Sequence, residues 1–300
     1  MLRRILARAK REWRQVADGP LRRRLQSRSR PSRDIVALDG LPSRAVLLVV
    51  AHPDDEVIAA GGLLGRFPKA GVICLTNGAP HWGSSAKNAG FDNWMDYAMT
   101  RGGEAKAALA LLGRDVTPNY NLGIPDQGTG DNLVATTRHL VSRLKSGFDY
   151  VVTHAYEGGH ADHDSTAFCV HAACALIAKE GRTPPVITEA PLYNAPDGKF
   201  VWTRFLPHPD AGPVSVFPLS ADEQERKRRM FECHVTQREV FTNVGVEAEL
   251  FRQAPRYHFT APPHPGEVGY VQFMGGSTGR SWRRQAWRAM RELGVWEELA

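Results

Sequence analysis

Residues 45–56, with the sequence AVLLVVAHPDDE, decide the fold and mark a chemically active position. The run at 45–50 is continuously apolar and rich in valine, which is typical of a strand buried on both faces of a parallel sheet. The polar sequence HPDDE follows it almost directly. Functional groups of open α/β sheets collect at the carboxyl ends of strands, where the loops face a crevice. The stretch therefore predicts a parallel sheet with a polar site at its edge.

The alternation of strands and helices continues along the chain. Predicted strands cover about 71–76, 119–122, 148–153 and 185–189, and predicted helices cover about 57–67, 92–112, 132–145 and 163–179. This order predicts an α/β fold, doubly wound and Rossmann-like, with a mostly parallel sheet and helices on both faces. Beyond residue 196 the pattern loosens. There we predict a strand at 214–217, a helix at 221–241 that Ser220 caps, and a last helix at 281–293.

The net charge of +6 is concentrated at the N-terminus. Residues 1–34 carry 12 Lys and Arg against 3 Asp and Glu, so the remaining 266 residues carry a net charge of −3. We predict a flexible basic arm at 1–34 and a single α/β domain at 35–300, loop-rich from about 196. An apolar stripe at 1–17 leaves two interpretations of the arm: a helix lying on an anionic membrane, or a solvated extension. A specific nucleic-acid interface is not predicted, since the basic charge belongs to the arm.

The composition also limits the compartment. No apolar run reaches the length of a membrane span, and no apolar segment of a secretory signal follows the basic N-terminus. The four cysteines form no C-x-x-C pair and are interpreted as reduced thiols. These features predict a cytoplasmic protein, peripheral to the inner membrane face if the arm binds lipid.

A second polar cluster, GHADHD at 159–164, also follows a predicted buried strand and opens a helix. His52 and Asp55 can point at one metal ion, and one histidine of the second cluster would complete a set of two histidines and one carboxylate. Three protein ligands leave a position for water, as in catalytic zinc sites, and the donors also suit Fe²⁺. Helix capping by aspartates is the alternative. Two His/Asp clusters at strand-to-helix junctions favour the metal site.

These motifs resemble those of the PIG-L/LmbE-like family of metal-dependent N-deacetylases, which act mostly on N-acetylglucosamine-containing compounds. AHPDDE at 51–56 matches the first family motif in full, and HADH at 160–163 is similar to the second, H-P-D-H. Weaker matches are TNG at 76–78, RGGE at 101–104, Asp126, and HVTQ at 234–237. The resemblance covers residues 43–240.

The resemblance implies that His52, Asp55 and His163 bind the metal. It also implies that Asp54 is the general base, which takes a proton from a water molecule on the metal. The metal would be Zn²⁺, with Fe²⁺ or another divalent ion as the alternative. A carboxylate beside the ligands suits this role, because metal binding brings the pKa of a water molecule down to about 7.

Four further roles are implied. His160 would stabilise the oxyanion or protonate the leaving amine, and Asp162 would hold its ring and keep it cationic. Arg101 and Asp126 would contact the substrate. Ala161 replaces the usual proline of the second motif, which removes no reacting group.

Three other features leave two interpretations each. Glu157 could face the cleft, and His81 with Trp82 could stack on a sugar ring, or they could be ordinary loop residues. The segment 234–237 is interpreted either as a polar wall of the site or as an ordinary helix face.

The sequence therefore predicts a zinc-dependent hydrolase that removes an N-acyl group, typically acetyl, from an N-acetylglucosaminyl-type conjugate. Two alternatives remain. One is a non-catalytic module that binds a sugar or nucleotide and docks on a membrane or polyanion through its arm; the other is a metal hydrolase of another bond, such as an ester. Asp54 favours an enzyme, because a pure binding module needs no base beside its metal ligands.

Overall fold

The computed structural model describes residues 45–82, 84–113, 120–274 and 277–300. The predicted basic arm at 1–34 lies outside these residues, as does the predicted first residue of the strand at 119–122. Within the described part of the chain, no helix combines the length and the apolar character that a membrane crossing requires.

A seven-stranded sheet runs through the centre, with the strand order β3-β2-β1-β4-β5-β9-β8. Its strands are β1 Val46–Val50, β2 Ala70–Thr76, β3 Tyr120–Ile124, β4 Tyr150–His154, β5 Val186–Ala190, β8 Ser215–Pro218 and β9 Ala248–Gln253. Strands β1 to β5 are parallel, whereas β9 is antiparallel to β5 and β8 to β9. Strands β6 Tyr193–Asn194 and β7 Val201–Trp202 form a separate antiparallel pair. The predicted doubly wound, mostly parallel sheet is confirmed.

Helices cover both faces of this sheet. They are α1 Asp55–Ala60, α2 Ser84–Asn88, α3 Trp94–Ala110, α4 Leu133–Leu144, α5 Ala161–Lys179, α6 Ala221–Cys233, α7 Arg238–Phe241, α8 Gly279–Leu293 and α9 Trp296–Leu299. Short 3₁₀ turns lie at Leu63–Arg66, Thr129–Asn132, Val235–Gln237 and Gly269–Gln272.

Strand β1 explains why both faces are covered. All five of its residues are buried, and alternate side chains point to opposite faces. Leu47 and Val49 belong to the apolar cluster that includes buried residues of α4, α5 and α8. Val46, Leu48 and Val50 belong to the cluster that includes residues of α1, α3 and α6. The apolar run at 45–50 is therefore buried on both sides, as its lack of alternation predicts.

The boundaries of several elements differ from the prediction. The helix predicted at 57–67 is split at Gly61 into α1 and a 3₁₀ turn, because glycine is a poor helix former. Ser220 caps α6 with the predicted capping box, but the helix ends at Cys233 instead of Phe241. Helix α5 begins at Ala161, two residues before the predicted start.

A buried ion pair ties α6 to the sheet. Lys227 Nζ lies 2.6 Å from Glu249 Oε1 and donates to the Ile58 carbonyl at 3.0 Å. We expect Lys227→Met to lower the free energy of unfolding by about 3–5 kcal/mol, because Glu249 would stay buried without its cation. Denaturant midpoints measure this. Arg228→Met is the matched control: its partner Glu225 is exposed, and the expected loss is below about 1 kcal/mol. Equal losses in both variants would contradict the argument.

Candidate metal and catalytic site

The two predicted motifs meet at the carboxyl ends of adjacent strands. The chain leaves β1 toward β2 and β3 on one side of the sheet and continues from β4 to β5 on the other. The boundary between β1 and β4 is thus the topological switch point, where α/β sheets open a crevice. The loop after β1 leads into α1, and the loop after β4 leads into α5. This topology brings residues 52–56 and 160–163 together.

Three donor atoms form a nearly equilateral triangle in this crevice. His52 Nδ1 lies 3.2 Å from Asp55 Oδ2 and 3.3 Å from His163 Nε2, and the last two atoms are 3.4 Å apart. All three residues are buried. Ligand atoms about 2.0–2.1 Å from a tetrahedral zinc ion are themselves about 3.3 Å apart. The spacing and chemistry of these donors therefore fit a divalent ion, and they are the three residues named from the motifs.

Two carboxylates orient the His52 ring from its far side. His52 Nε2 lies 3.1 Å from Asp126 Oδ1 and 3.3 Å from Asp162 Oδ2. Asp162 is fixed in turn by the backbone N–H groups of Gln127 and Thr129. A carboxylate on the outer nitrogen holds a metal-binding imidazole in place and sets its tautomer. Asp126, expected to contact substrate, is therefore engaged with His52.

His160 occupies a different position from the one that the resemblance implies. It is the N-cap of α5, and its Nδ1 accepts the backbone N–H of Asp162 at 3.1 Å. The Asp162 carboxylate binds His52 and the backbone of the neighbouring loop instead of this ring. Burial and the nearby His52 lower the pKa of His160 to about 3. The prediction of a cationic ring held by Asp162 is thus corrected: His160 is neutral and carries its proton on Nε2.

Asp54 has the most unusual backbone of the site. Its φ of 138° lies in a region that residues other than glycine rarely adopt. Its carboxylate accepts from Arg101 Nη2 at 2.9 Å, and its N–H donates to Glu56 Oε2 at 2.9 Å. Burial raises the pKa of Asp54 to about 7, and Arg101 opposes that rise. Backbone strain held at one residue is typical of functional sites.

Arg101 was expected to contact the substrate, but its guanidinium faces inward. It is 5% exposed, and besides Asp54 it donates to the carbonyls of Pro53 and Gly78. The structure therefore corrects its position: Arg101 holds Asp54 and joins the loops that follow β1 and β2.

Asp55 and His163, two of the three donors of the metal site, differ in charge. Burial would raise the pKa of Asp55, but His163 and His52 outweigh burial and hold it well below its usual range. Burial, with a contribution from His154, lowers the pKa of His163 to about 3. Asp55 is thus ionised and His163 neutral, the protonation states that metal ligands need. For the third donor, His52, burial lowers the pKa, but Asp126 and Asp55 outweigh burial and hold it well above its usual value.

His154 is a member of the site that the sequence analysis missed. Its ring stacks on His163 at 4.1 Å between centroids, and its Nε2 accepts the Ala51 N–H at 2.9 Å. His154 Nε2 also lies 3.5 Å from Asp55 Oδ2. The available signal was its place as the last residue of a buried strand beside the first motif.

Aromatic rings line one side of the crevice. Phe273, 37% exposed, stacks on His160 at 5.6 Å, and Tyr193 lies 4.9 Å from His163. His81 stacks on Trp94 at 4.8 Å, while the neighbouring Trp82 is 60% exposed. Trp82, in the loop that follows β2, is thus open to solvent.

Glu157 does not face the cleft. Its carboxylate accepts from the Leu206 N–H and from Asn194 Nδ2. Arg252 lies 3.9 Å from it and also binds Glu189. Glu157 therefore joins β6 and the loop that follows β7 to the rest of the domain.

Together these features describe an α/β protein with a candidate metal centre and an adjacent base at its switch point. Residues 47–174 match the sequence model of the PIG-L family, described as GlcNAc-PI de-N-acetylase. That segment spans both motifs, so the resemblance to the PIG-L/LmbE-like family is confirmed. No sequence among the curated proteins matches the chain.

Several solved structures share the fold. A deacetylase triple mutant of the teicoplanin biosynthetic pathway aligns with 70% of this chain and 97% of its own, at a TM-score of 0.55 and 17% identity. The A40926 pseudoaglycone deacetylase covers 70% and 96%, at a TM-score of 0.54 and 18% identity. The zinc-inhibited form of teicoplanin deacetylase covers 69% and 97%, at a TM-score of 0.50 and 15% identity. At these identities the likeness establishes the fold.

Proposed function

We propose that this protein is a divalent-metal-dependent hydrolase that removes an acyl group, typically acetyl, from the nitrogen of an amino-sugar conjugate. The observation that carries the proposal is the triangle of donors from His52, Asp55 and His163, with the carboxylate of the strained residue Asp54 beside it. The match of residues 47–174 to a family model described as a de-N-acetylase supports the same reaction. A purely sugar-binding module would have no use for the strain at Asp54.

His52, Asp55 and His163 would hold the ion. Zn²⁺ suits two imidazoles and a carboxylate with tetrahedral spacing, and Fe²⁺ binds the same donor types. When bound, the ion would polarise the substrate carbonyl and acidify a water molecule.

The remaining residues divide the proton transfers. The Asp54 carboxylate accepts the proton that water loses as it attacks the carbonyl carbon, and Arg101 keeps this carboxylate in place. His160 donates its Nε2–H to the oxygen on which negative charge develops, a contact that gains strength only in the transition state. Asp54 then returns its proton to the amide nitrogen as the carbon–nitrogen bond breaks. One amide and one water thus give one carboxylic acid and one amine.

The substrate class follows from the walls of the crevice and from the family. Phe273, which stacks on His160, offers a flat apolar face that suits the apolar face of a sugar ring. The family description names an N-acetylglucosaminyl compound. These two observations support an N-acetylglucosaminyl-type conjugate over a simple amide.

Amine release from such conjugates tests the proposal. Metal-stripped protein should release amine at the background rate, and Zn²⁺ or Fe²⁺ should restore release with acetate formed in equal amount. Matched O-acetyl analogues provide the control. Hydrolysis of the esters alone would support the ester hydrolase, and saturable binding without turnover would support the binding module. Circular dichroism of the stripped protein checks that the fold survives.

A further inference from the structure

The segment 234–237, left undecided by the sequence, lies directly behind the base. We propose that it is a positioning element that holds Asp54 in its strained conformation from two sides. This inference rests on the proposed function, in which Asp54 is the general base. It assigns a role to His234 and Thr236, which lie against Glu56 and Glu104.

The first support passes through α3, the helix that carries Arg101. Thr236 donates its backbone N–H and its Oγ1 hydroxyl to the two oxygens of Glu104, at 2.9 and 2.6 Å. Gln237 Nε2 donates to the Tyr97 hydroxyl at 2.7 Å. Tyr97 lies one turn before Arg101 on α3 and Glu104 lies one turn after it. The segment therefore brackets Arg101, the residue that binds the Asp54 carboxylate.

The second support passes through Glu56. Its Oε2 accepts the N–H of Asp54, and its Oε1 faces His234 Nε2 at 3.9 Å. Both residues are fully buried, and Oε1 and both ring nitrogens have no hydrogen-bond partner within the described residues. Most buried polar side-chain atoms have a hydrogen-bond partner. His234 thus places a polar ring against the side chain that fixes the backbone of Asp54.

The strain at Asp54 explains why two supports are needed. A backbone with φ at 138° persists only when its surroundings over-determine it. Arg101 holds the side chain and Glu56 holds the N–H. The segment 234–237 binds α3 on either side of Arg101, and it faces Glu56 through His234. Loosening that segment would let the carboxylate relax away from the reacting atoms, where a displacement of about 1 Å can cost about a hundredfold in rate.

Thr236→Val tests the first support in the metal-loaded, full-length protein. It removes the Oγ1 donor to Glu104 and preserves the shape of the side chain. We expect kcat to fall by about tenfold or more, with KM and bound metal within about twofold of the wild type. Thr236→Ser keeps the hydroxyl and should recover most of the loss. Thr242→Val makes the same change at an exposed position and should leave kcat unchanged.

A double-mutant measurement separates a positioning role of Thr236 from a general packing role. In an Asp54→Ala background, Thr236→Val should change the residual rate by less than about twofold, since nothing remains to be positioned. A tenfold loss in both backgrounds, or none in either, would overturn the proposal.

A crystal structure of Thr236→Val gives a readout that does not depend on activity. The distance from Arg101 Nη2 to Asp54 Oδ2 should lengthen from 2.9 Å to beyond hydrogen-bonding range. An unchanged distance would refute the positioning role even in a protein that releases amine. Absence of amine release by the wild type would instead count against the proposed function.

Discussion

Asp54→Asn should lower kcat by about a thousandfold or more while the protein keeps about one metal ion per chain. General bases contribute about 10²–10⁴ to a rate, and asparagine cannot take the proton from water. The amide has nearly the volume of the carboxylate and still offers an oxygen to Arg101. The comparison therefore removes proton acceptance and leaves the local packing in place. Steady-state kinetics and elemental analysis of the gel-filtered protein measure the two quantities.

Asp54→Ala is a harsher version of the same change. It leaves the guanidinium of Arg101 buried without its carboxylate, which typically costs about 3–5 kcal/mol of stability. Asp131→Asn is the matched control, because this aspartate is exposed and lies outside the site. Loss of the metal from Asp54→Asn would mean that Asp54 is a ligand. A rate near that of the wild type would mean that another group is the base.

The centre of the site was predictable because its residues follow strands that are easy to recognise. The valine-rich run at 45–50 favours a buried strand, and the motif that follows such a strand lies at the carboxyl end of the sheet. The positions of the two motifs indicated His52, Asp55 and one histidine of the second motif, and the family resemblance selected His163. Their spacing of 3.2–3.4 Å is the part that only coordinates could supply.

The partners of these residues were not predictable, because they depend on packing between distant segments. Arg101 lies 47 residues from Asp54 in sequence, and the sequence gives no sign that its side chain turns inward. The role of His160 as the N-cap of α5 was also not predicted, because it depends on where the helix begins. Since α5 begins at Ala161, the His160 ring bonds the backbone and is not free for the Asp162 carboxylate.

Strand β9 was missed for a different reason. Its sequence AELFRQ contains a glutamate and an arginine, which a pattern analysis assigns to the surface. Both are buried, because Glu249 pairs with Lys227 and Arg252 pairs with Glu189 at 2.9 Å. Each charge is compensated by a residue more than 20 positions away, and such compensation leaves no local signal.

The second large effect is expected from alanine substitutions at His163 and His160, which should differ in metal content. His163→Ala should release most of the bound metal and reduce turnover to background, because one of three protein ligands is lost. His160→Ala should keep the metal and lower kcat by about 10²–10³, the effect typical of losing one donor to an oxyanion. Metal content after gel filtration and kcat at saturating metal distinguish the two variants. His258→Ala, an exposed histidine, should change neither quantity.

The opposite outcome, in which His160→Ala loses the metal and His163→Ala keeps it, would make His160 a metal ligand. His160 also lies within reach of His52 and His163 in a group of buried imidazoles that could hold an ion. However, its Nδ1 accepts the Asp162 N–H, so a neutral His160 ring carries its proton on Nε2, and metal binding through Nε2 would require that hydrogen bond to break. Depletion of the metal from His160→Ala, with retention in His163→Ala, would assign Nε2 to the metal. Oxyanion stabilisation would then have to come from another donor, and His160 would leave the proton-transfer scheme.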